Sequence, residues 1–445
     1  MDYKANFIGK KITLIGLGIL GRGVGDAKFL AEEGAELIVT DLKNAKELES
    51  SVAEIKEFPN IQFVLGEHRL EDFRNRDFIL KAAGVPLDSP FIAEARKNGI
   101  PIEMSTALFA ALTPATIVGV TGTRGKSTVT QLINSILKEA GKNVLLGGNI
   151  RGIATLPLIR SAKEGDIAVL ELDSWQLQGF GERKISPHIS VFTNFMADHQ
   201  NYYKGDMNSY FNDKAQIFFH QTANDILVIG KDLWEAQKKD IESHSPGKIV
   251  IADEKNIPRD WNILIPGEHN KKNIACAMEA SRSLGISDAI IRASTEHFIG
   301  IEGRLQLIRE LNGIKIYNDT NSTTPDATLA GLEALSKNKN IILIMGGADK
   351  QLNMAKLVQS WDFYCKRIIL LPGTGTERLK EFGTGSVSVP MELATNLAES
   401  FAKAYNAAKA GDIILFSPAF ASFGIFMNEY DRGDQFMRLV NTIQK

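Results

Sequence analysis

The sequence is poor in everything that would lock it covalently or hold it in a membrane. Only two of its 445 residues are cysteines, Cys276 and Cys365, far apart and without CxxC or Cys/His spacing. That excludes a disulfide framework, gives no zinc-ligand pattern and predicts a reducing compartment. No stretch of about 18 uninterrupted apolar residues occurs, and the start, Met1-Asp2-Tyr3-Lys4-Ala5-Asn6, has no apolar segment of signal-peptide type. The expectation is a soluble cytoplasmic protein with no membrane partner. Excess charge is also missing, since 51 Lys+Arg face 53 Asp+Glu for a formal net charge of -2. A polyanion such as nucleic acid finds no global attraction, so any phosphate must be recognised locally. Low-complexity linkers and repeats of about 20–50 residues are absent too.

What is present is a rhythm of short apolar runs and amphipathic stretches. Runs at 11–15, 37–40, 62–65 and 78–80 alternate with helical patterns and read as βαβ units of a mostly parallel sheet. A second series starts at 116–120 and continues through 144–146, 167–172 and 189–192, and a third passes through 314–317, 341–345, 367–371 and 413–416. A chain of this length holds about three domains. The fold class expected is therefore α/β in three domains: a Rossmann-like N-terminal domain over 1–103, a central P-loop-type ATPase domain over 104–300 with a mostly parallel sheet, and a Rossmann-like C-terminal domain over 301–445.

Two glycine-rich turns carry the first functional signals. Gly16-Leu17-Gly18-Ile19-Leu20-Gly21 follows a strand run and opens a helix, with Asp41 closing the next strand. Glycines let the backbone approach a diphosphate and the helix N-terminus attracts it. A nicotinamide-dependent oxidoreductase fits this turn, as does the diphosphate of a nucleotide-linked substrate, as does a tight turn without a ligand. The second turn, Thr121-Gly122-Thr123-Arg124-Gly125-Lys126-Ser127-Thr128, follows the run at 116–120 and precedes a helix with apolar Val129, Leu132, Ile133, Ile136, Leu137 and Ala140 on one face. Its backbone N–H groups would cradle ATP phosphates, Lys126 would neutralise β/γ charge, and Ser127 would reach Mg²⁺. Val120 stands where the strict Walker pattern has glycine, which argues against an ordinary P-loop GTPase or ATPase.

Further on come Glu171-Leu172-Asp173-Ser174-Trp175-Gln176-Leu177, then Thr193-Asn194-Phe195-Met196-Ala197-Asp198-His199, then Tyr210-Phe211-Asn212-Asp213-Lys214. Gly267-Glu268-His269-Asn270-Lys271-Lys272-Asn273, Gly303-Arg304, Asn318-Asp319-Thr320 and Ser417-Pro418-Ala419-Phe420-Ala421-Ser422-Phe423 complete the series. In this order, over essentially the whole chain, the set resembles the Mur ligase family, and within it the branch that adds glutamate to UDP-N-acetylmuramoyl-L-alanine. The resemblance implies an ATP-dependent amide ligase of peptidoglycan precursor synthesis, monomeric, working through an acyl phosphate with two Mg²⁺ ions.

Residue by residue, the resemblance implies Lys126, Glu171, His199 and Lys214 as catalytic, with Ser127, Glu171, His199 and Lys214 at metal and Lys214 carrying a carbamate. ATP would take the loop with Thr128, Asn270 and Asn273 at adenine, and Arg304 and Asp319 from the third domain. The uridine substrate would take Gly18, Ile19, Leu20, Asp41, Lys43, Gly84, Asn149 and His199, and glutamate would take Thr323, Lys350, Ser422 and Phe423. Because these residues come from all three domains, the resemblance implies a cleft that assembles on domain closure. Asn321, Gly424, Glu429 and Ala82 stand where the family branch has lysine, aspartate, an aromatic and serine. The first three leave open whether D- or L-glutamate is added. Another amino-acid- or folate-extending member of the same fold is the nearest alternative; an oxidoreductase would leave Lys126, Glu171, Lys214 and Arg304 without a role.

Overall fold

The structure is a computed structural model describing residues 3–19, 21–335, 338–382, 385 and 387–443. Three sheets order the chain. The first has strands β1 (Lys11–Ile15), β2 (Glu36–Asp41), β3 (Ile61–Leu65), β4 (Phe78–Lys81) and β5 (Ile102–Glu103), in the spatial order β3-β2-β1-β4-β5 and all parallel. The second has β6 (Thr116–Thr121), β7 (Val144–Gly148), β8 (Ile167–Glu171), β9 (Ile189–Phe192), β10 (Ile226–Gly230) and β11 (Lys248–Ala252), ordered β11-β10-β9-β6-β8-β7 and again all parallel. Strands buried on both faces read as continuous apolar runs, which is why 116–120 and 167–172 were legible.

The third sheet comprises β12 (Gln306–Leu311), β13 (Ile314–Asn318), β14 (Ile341–Met345), β15 (Cys365–Leu370), β16 (Met391–Leu393) and β17 (Ile413–Phe416), ordered β12-β13-β17-β14-β15-β16. Only β12 is antiparallel, paired with β13. Strand alternation divides its core. Ile341, Leu343 and Met345 pack with Leu357 and Trp361 on one face, while Ile342 and Ile344 pack with Phe416 and Phe436 on the other.

Two compact units result. One runs to Asp260 and takes in Lys272–Thr295, so the first two sheets share it; the other comprises Trp261–Lys271 and the chain from Glu296 onward. In the first unit a single apolar cluster joins Leu14, Phe29 and Leu37 to Leu108, Ile117, Leu170 and Phe218. In each of the first two sheets the chain changes direction at a central strand, at β1 and at β6. Ligands of open parallel sheets bind beyond the carboxyl ends of strands at such switch points, and both glycine turns lie there.

Candidate functional site

The turn after β6 enters the helix Lys126–Glu139 through Gly125, whose left-handed φ of 82° suits glycine. Backbone and side chains of the segment after the neighbouring strand hold it. Thr123 N–H donates to Asn194 O at 3.0 Å, Arg124 N–H to Asn194 Oδ1 at 2.9 Å, and Thr193 Oγ1 to Arg124 O at 2.6 Å. Arg124 pairs with Asp198 at 2.6 Å. Burial works against ionising Asp198, yet the Arg124 guanidinium, helped by the His199 backbone N–H, keeps its carboxyl below the usual range. Thr121 and Thr128 are buried, and Ser127 lies in the first turn of the helix.

Two ammonium groups converge on one carbonyl of this loop. Lys126 Nζ donates to Gly122 O at 3.1 Å and Lys214 Nζ donates to the same oxygen at 2.9 Å. Lys214 comes from the helix Met207–Phe219, is 1 % exposed, and its Nζ lies 4.9 Å from the centre of the Tyr210 ring. Burial first, and then the charge of Lys126, push its amine well below the ordinary lysine value. A lysine so placed is readily neutral.

Glu171 ends β8 with its side chain buried, and its carbonyl accepts the Asn149 N–H at 2.7 Å. Gly148 beside it has no room for a side chain, since a Cβ there would lie 2.1 Å from Glu171 O. His199 adopts a left-handed φ of 50° and its ring meets that of Trp175 at 4.9 Å between centroids. Burial, reinforced by Lys214 and Lys126 and opposed by Asp198, lowers its pKa, favouring the neutral imidazole that binds metal or accepts a hydrogen bond. Among the described residues no three His, Cys, Asp or Glu side chains cluster as a ready-made metal site.

The helix Glu268–Ser283 carries both asparagines. Asn273 Oδ1 presses on the loop, 2.1 Å from where a Cβ on Gly125 would be, and Asn270 Nδ2 donates to Pro266 O at 2.7 Å.

The turn after β1 bounds a cavity of about 300 Å³ in the same unit, lined by Gly18, Ile19, Lys43 and Gly84 from the first sheet's loops and by Gly148 and Gln176 from the second's. Asp41 Oδ2 accepts the Gly18 N–H and Oδ1 the Lys43 N–H, both at 2.9 Å. Asn149 approaches from the second sheet, its Oδ1 accepting from Arg22 at 2.6 Å. Ala82 sits against the turn, 2.8 Å from the place of a Gly16 Cβ. Leu20 lies outside the described residues.

In the second unit, Asp319 follows β13, 3 % exposed, accepting from Leu305 N–H at 3.0 Å and Ser417 Oγ at 2.7 Å. Burial outweighs these bonds and the Arg304 charge, pushing its pKa up to about 6. Arg304 is exposed. Lys350 Nζ donates to Thr323 Oγ1 at 3.0 Å, and the loop just before Lys350 pairs with the Ser422 loop, with Ala348 and Ala421 exchanging N–H···O bonds of 3.0 and 3.1 Å. Thr323, Lys350 and the turn leading into Ser422 are thus brought together. Phe423, at 65 % exposure, points to solvent, and Asn321 Nδ2 donates to Glu302 O at 3.2 Å.

Four buried or half-buried polar residues escaped the sequence. Arg432, fully buried, donates to Thr320 Oγ1, Thr320 O and Phe420 O, clamping the Asp319 loop to the Ser422 loop. Lys81, 2 % exposed, donates to the carbonyls of Ala82, Ala83 and Val85 around Gly84, and burial pushes its pKa down to about 8. Arg22 and Asp26 line the cavity. A lone charge in an apolar strand was the signal available for Lys81; the others had none.

Comparison with known proteins agrees along the chain. Residues 10–103 match the family described as Mur ligase MurD-like, N-terminal domain, residues 120–256 the Mur ligase middle domain, and residues 303–420 the Mur ligase glutamate ligase domain. The UDP-N-acetylmuramoylalanine--D-glutamate ligase of Roseiflexus sp. is 35% identical over 474 residues, covering 98% of this chain and 99% of that protein. Among solved structures, the UDP-N-acetylmuramate-alanine ligase MurC of Thermotoga maritima is similar with a TM-score of 0.61 at 19% identity, covering 97% of this chain and 99% of that one. The MurF ligase of the same organism in complex with ADP gives 0.59 at 17%, covering 99% and 96%.

Proposed function

The chain belongs to the Mur ligase family, and from that premise we propose that it joins D-glutamate to UDP-N-acetylmuramoyl-L-alanine at the expense of ATP, in cytoplasmic peptidoglycan precursor synthesis. The observation that carries the chemistry is the glycine loop with the Lys126 ammonium and the buried Lys214 amine both brought to Gly122 O. Joining a carboxylate to an amine needs a better leaving group than oxide. The alanyl carboxylate attacks the γ-phosphorus, the bond to ADP breaks, and an acyl phosphate forms; the glutamate amine then attacks its carbonyl carbon, phosphate leaves and a proton is lost. Anions are thereby brought together, and fixed positive charge is what stabilises them.

Lys126 is assigned to the β/γ-phosphates, with loop residues 121–128, Asn270, Asn273, Arg304 and Asp319 to ATP. Asn273, wedged on Gly125, supports a role in holding the loop. Ser127, Glu171 and His199 are assigned to Mg²⁺. One hydroxyl, one carboxylate and one imidazole fit an ion that arrives with nucleotide, since Mg²⁺ takes one or two carboxylates and completes its shell with phosphate and water oxygens. Bound there, the ion supplies charge neutralisation. We assign Lys214 a carbamate: its ammonium gives up one proton, the neutral amine attacks the carbon of CO₂, an N–C bond forms as a C–O π bond opens, and a second proton leaves, so that the cation becomes an anion whose oxygens would ligate the second ion. Its lowered pKa supports this.

Asp41, Lys43, Gly18, Ile19, Gly84, Asn149 and His199 are assigned to the nucleotide-linked substrate, and Thr323, Lys350, Ser422 and Phe423 to glutamate, with residues 1–103, 104–300 and 301–445 as the respective domains of a monomer. Among the described residues no helix is long and apolar enough to cross a membrane. L-Glutamate is the second reading, left open by Asn321, Gly424 and Glu429, which stand where the family branch has other residues. Phosphate release from ATP, measured with UDP-N-acetylmuramoyl-L-alanine and each glutamate enantiomer, tests the assignment. Release that needs both the uridine substrate and D-glutamate is expected; release indifferent to either defeats it.

A further inference from the structure

The cavity at the first glycine turn poses an electrostatic problem. A turn of this kind ordinarily aims its backbone N–H groups at phosphate. Here the Gly18 N–H is engaged by the Asp41 carboxylate, which places a negative charge beside the turn where a diphosphate would bind. Compensation must come from cations on the same wall. Lys81 lines the cavity, but its ammonium is committed to three carbonyls. Lys43 lines it too, but is exposed to solvent, where water screens its charge. Arg22 remains.

Arg22 opens the helix Arg22–Glu32, lines the cavity and is half-buried. One Nη donates to Asn149 Oδ1 at 2.6 Å, and the Asn149 N–H in turn donates to Glu171 O. A guanidinium has five N–H donors in a rigid fork, so a bond to Asn149 leaves donors for phosphate oxygens and fixes the plane in which they point. The helix already packs as close as glycine allows: a Cβ on Gly25 would lie 2.5 Å from the Ala154 Cβ. One turn on, Asp26 lines the same cavity at 6 % exposure with Oδ1 lacking any hydrogen-bond partner. With Ser105 and Leu156 engaging that carboxyl, the one oxygen left open beside a guanidinium is a second sign that this wall is built for a ligand bearing both anionic and donor groups.

We infer that Arg22 is a substrate-binding and positioning residue: its guanidinium takes the diphosphate of the nucleotide-linked substrate and, through Asn149, ties the first domain's glycine turn to the strand end that carries Glu171. The inference rests on the nucleotide-substrate reading above. It gives the guanidinium that takes the diphosphate a line, two hydrogen bonds long, to the residue assigned to the metal.

Titration calorimetry on the full-length protein with uridine, UDP and UDP-N-acetylmuramoyl-L-alanine tests it, using wild type, Arg22→Gln and Arg22→Lys. Loss of a charge-assisted contact should weaken UDP and the full substrate by roughly 10- to 100-fold in Arg22→Gln, while uridine, which has no phosphate, changes by less than about twofold. Arg22→Lys should recover part of the UDP affinity, because charge returns without the fork. The KM for the uridine substrate should rise in Arg22→Gln with that for ATP unmoved. Wild-type UDP affinity in Arg22→Gln overturns the inference, and so does an equal loss for uridine and UDP, which would mark a purely structural role. Failure of the wild-type protein to bind either UDP ligand instead overturns the nucleotide reading, and the inference with it.

Discussion

The two glycine turns of the first unit share a backbone and differ in everything around it. Gly21 and Gly125 precede their helices with φ/ψ of 81°/−18° and 82°/−11°, each after a central parallel strand. Around Gly125 the loop carbonyls receive two lysines and the strand end 193–198 grips the backbone. Around Gly21 a carboxylate closes the turn and an open cavity adjoins it. Each site also keeps desolvated ionisable groups, among them Lys214 at the second and Asp26 at the first, and burial drives both towards neutrality. The backbone makes a phosphate site possible in both places; the side chains from distant strands decide whether it reacts or only holds.

The largest break in this comparison should come from Lys126→Ala. Removing a charge assigned to the transferred phosphate should cost on the order of 10²–10³ in rate, with the fold unchanged by circular dichroism; unchanged turnover in the folded variant would remove the second turn from catalysis. Lys214→Ala should come next, with a loss of about 10²-fold on the same grounds, and acetate or formate should restore part of it by returning a carboxylate. Because the amine is held below the ordinary lysine value, the neutral form that reacts with CO₂ is available at lower pH than for a solvated lysine. Full activity of the alanine variant would leave Lys214 with a packing role only.

At the first turn the corresponding perturbation acts on stability. Burial raises Asp26 to about 7 from 3.8, against weaker opposing contributions from Ser105, Arg22 and Leu156. A carboxyl with a raised folded value binds more protons in the native than in the unfolded state, so its stabilising contribution is greatest below about pH 4 and declines as pH climbs towards 7. Asp26→Asn should abolish that slope: the variant matches wild type near pH 4 and exceeds it by roughly 2–4 kcal/mol above pH 7. Parallel denaturation curves of the two proteins across this range would show that Asp26 ionises freely.

Much of this was legible because it is local. Strand, glycine loop and amphipathic helix follow one another within residues 116–140, so the phosphate loop could be read directly, and β14 appears as an unbroken apolar run because both its faces are covered. β12 was not read: its burial is irregular, Leu307 is exposed, and its register shifts between Leu307 and Arg309. β16 has three residues with Met391 and Leu393 turned outward. At the sites the illegible part is the long-range pairing. Lys214 reaches a carbonyl 92 residues away, Arg432 a hydroxyl 112 away, and Arg22 an asparagine 127 away. Spacing can put a lysine on a helix; it cannot say which carbonyl that helix face will meet.

The finest distinction between the turns is steric, and alanine at each glycine isolates it. A residue with a Cβ in the left-handed region costs about 1–2 kcal/mol, and since Gly21 and Gly125 have nearly the same dihedrals that cost is common to both. What differs is the space. Nothing lies within 4 Å of a Cβ on Gly21, whereas one on Gly125 would meet Asn273 Oδ1 at 2.1 Å. Gly21→Ala should therefore lower stability by about 1 kcal/mol and leave the KM for ATP where it was. Gly125→Ala must also displace Asn273 from the loop, so its loss should exceed that of Gly21→Ala and be accompanied by a raised KM for ATP. The double variant Gly125→Ala/Asn273→Ala removes the obstructing amide and should regain part of the stability lost in Gly125→Ala, because the two changes share one contact and are not additive. Equal effects of alanine at the two glycines, or strict additivity at Gly125 and Asn273, would show that the helix entrances differ only in what binds them and not in how tightly each is built.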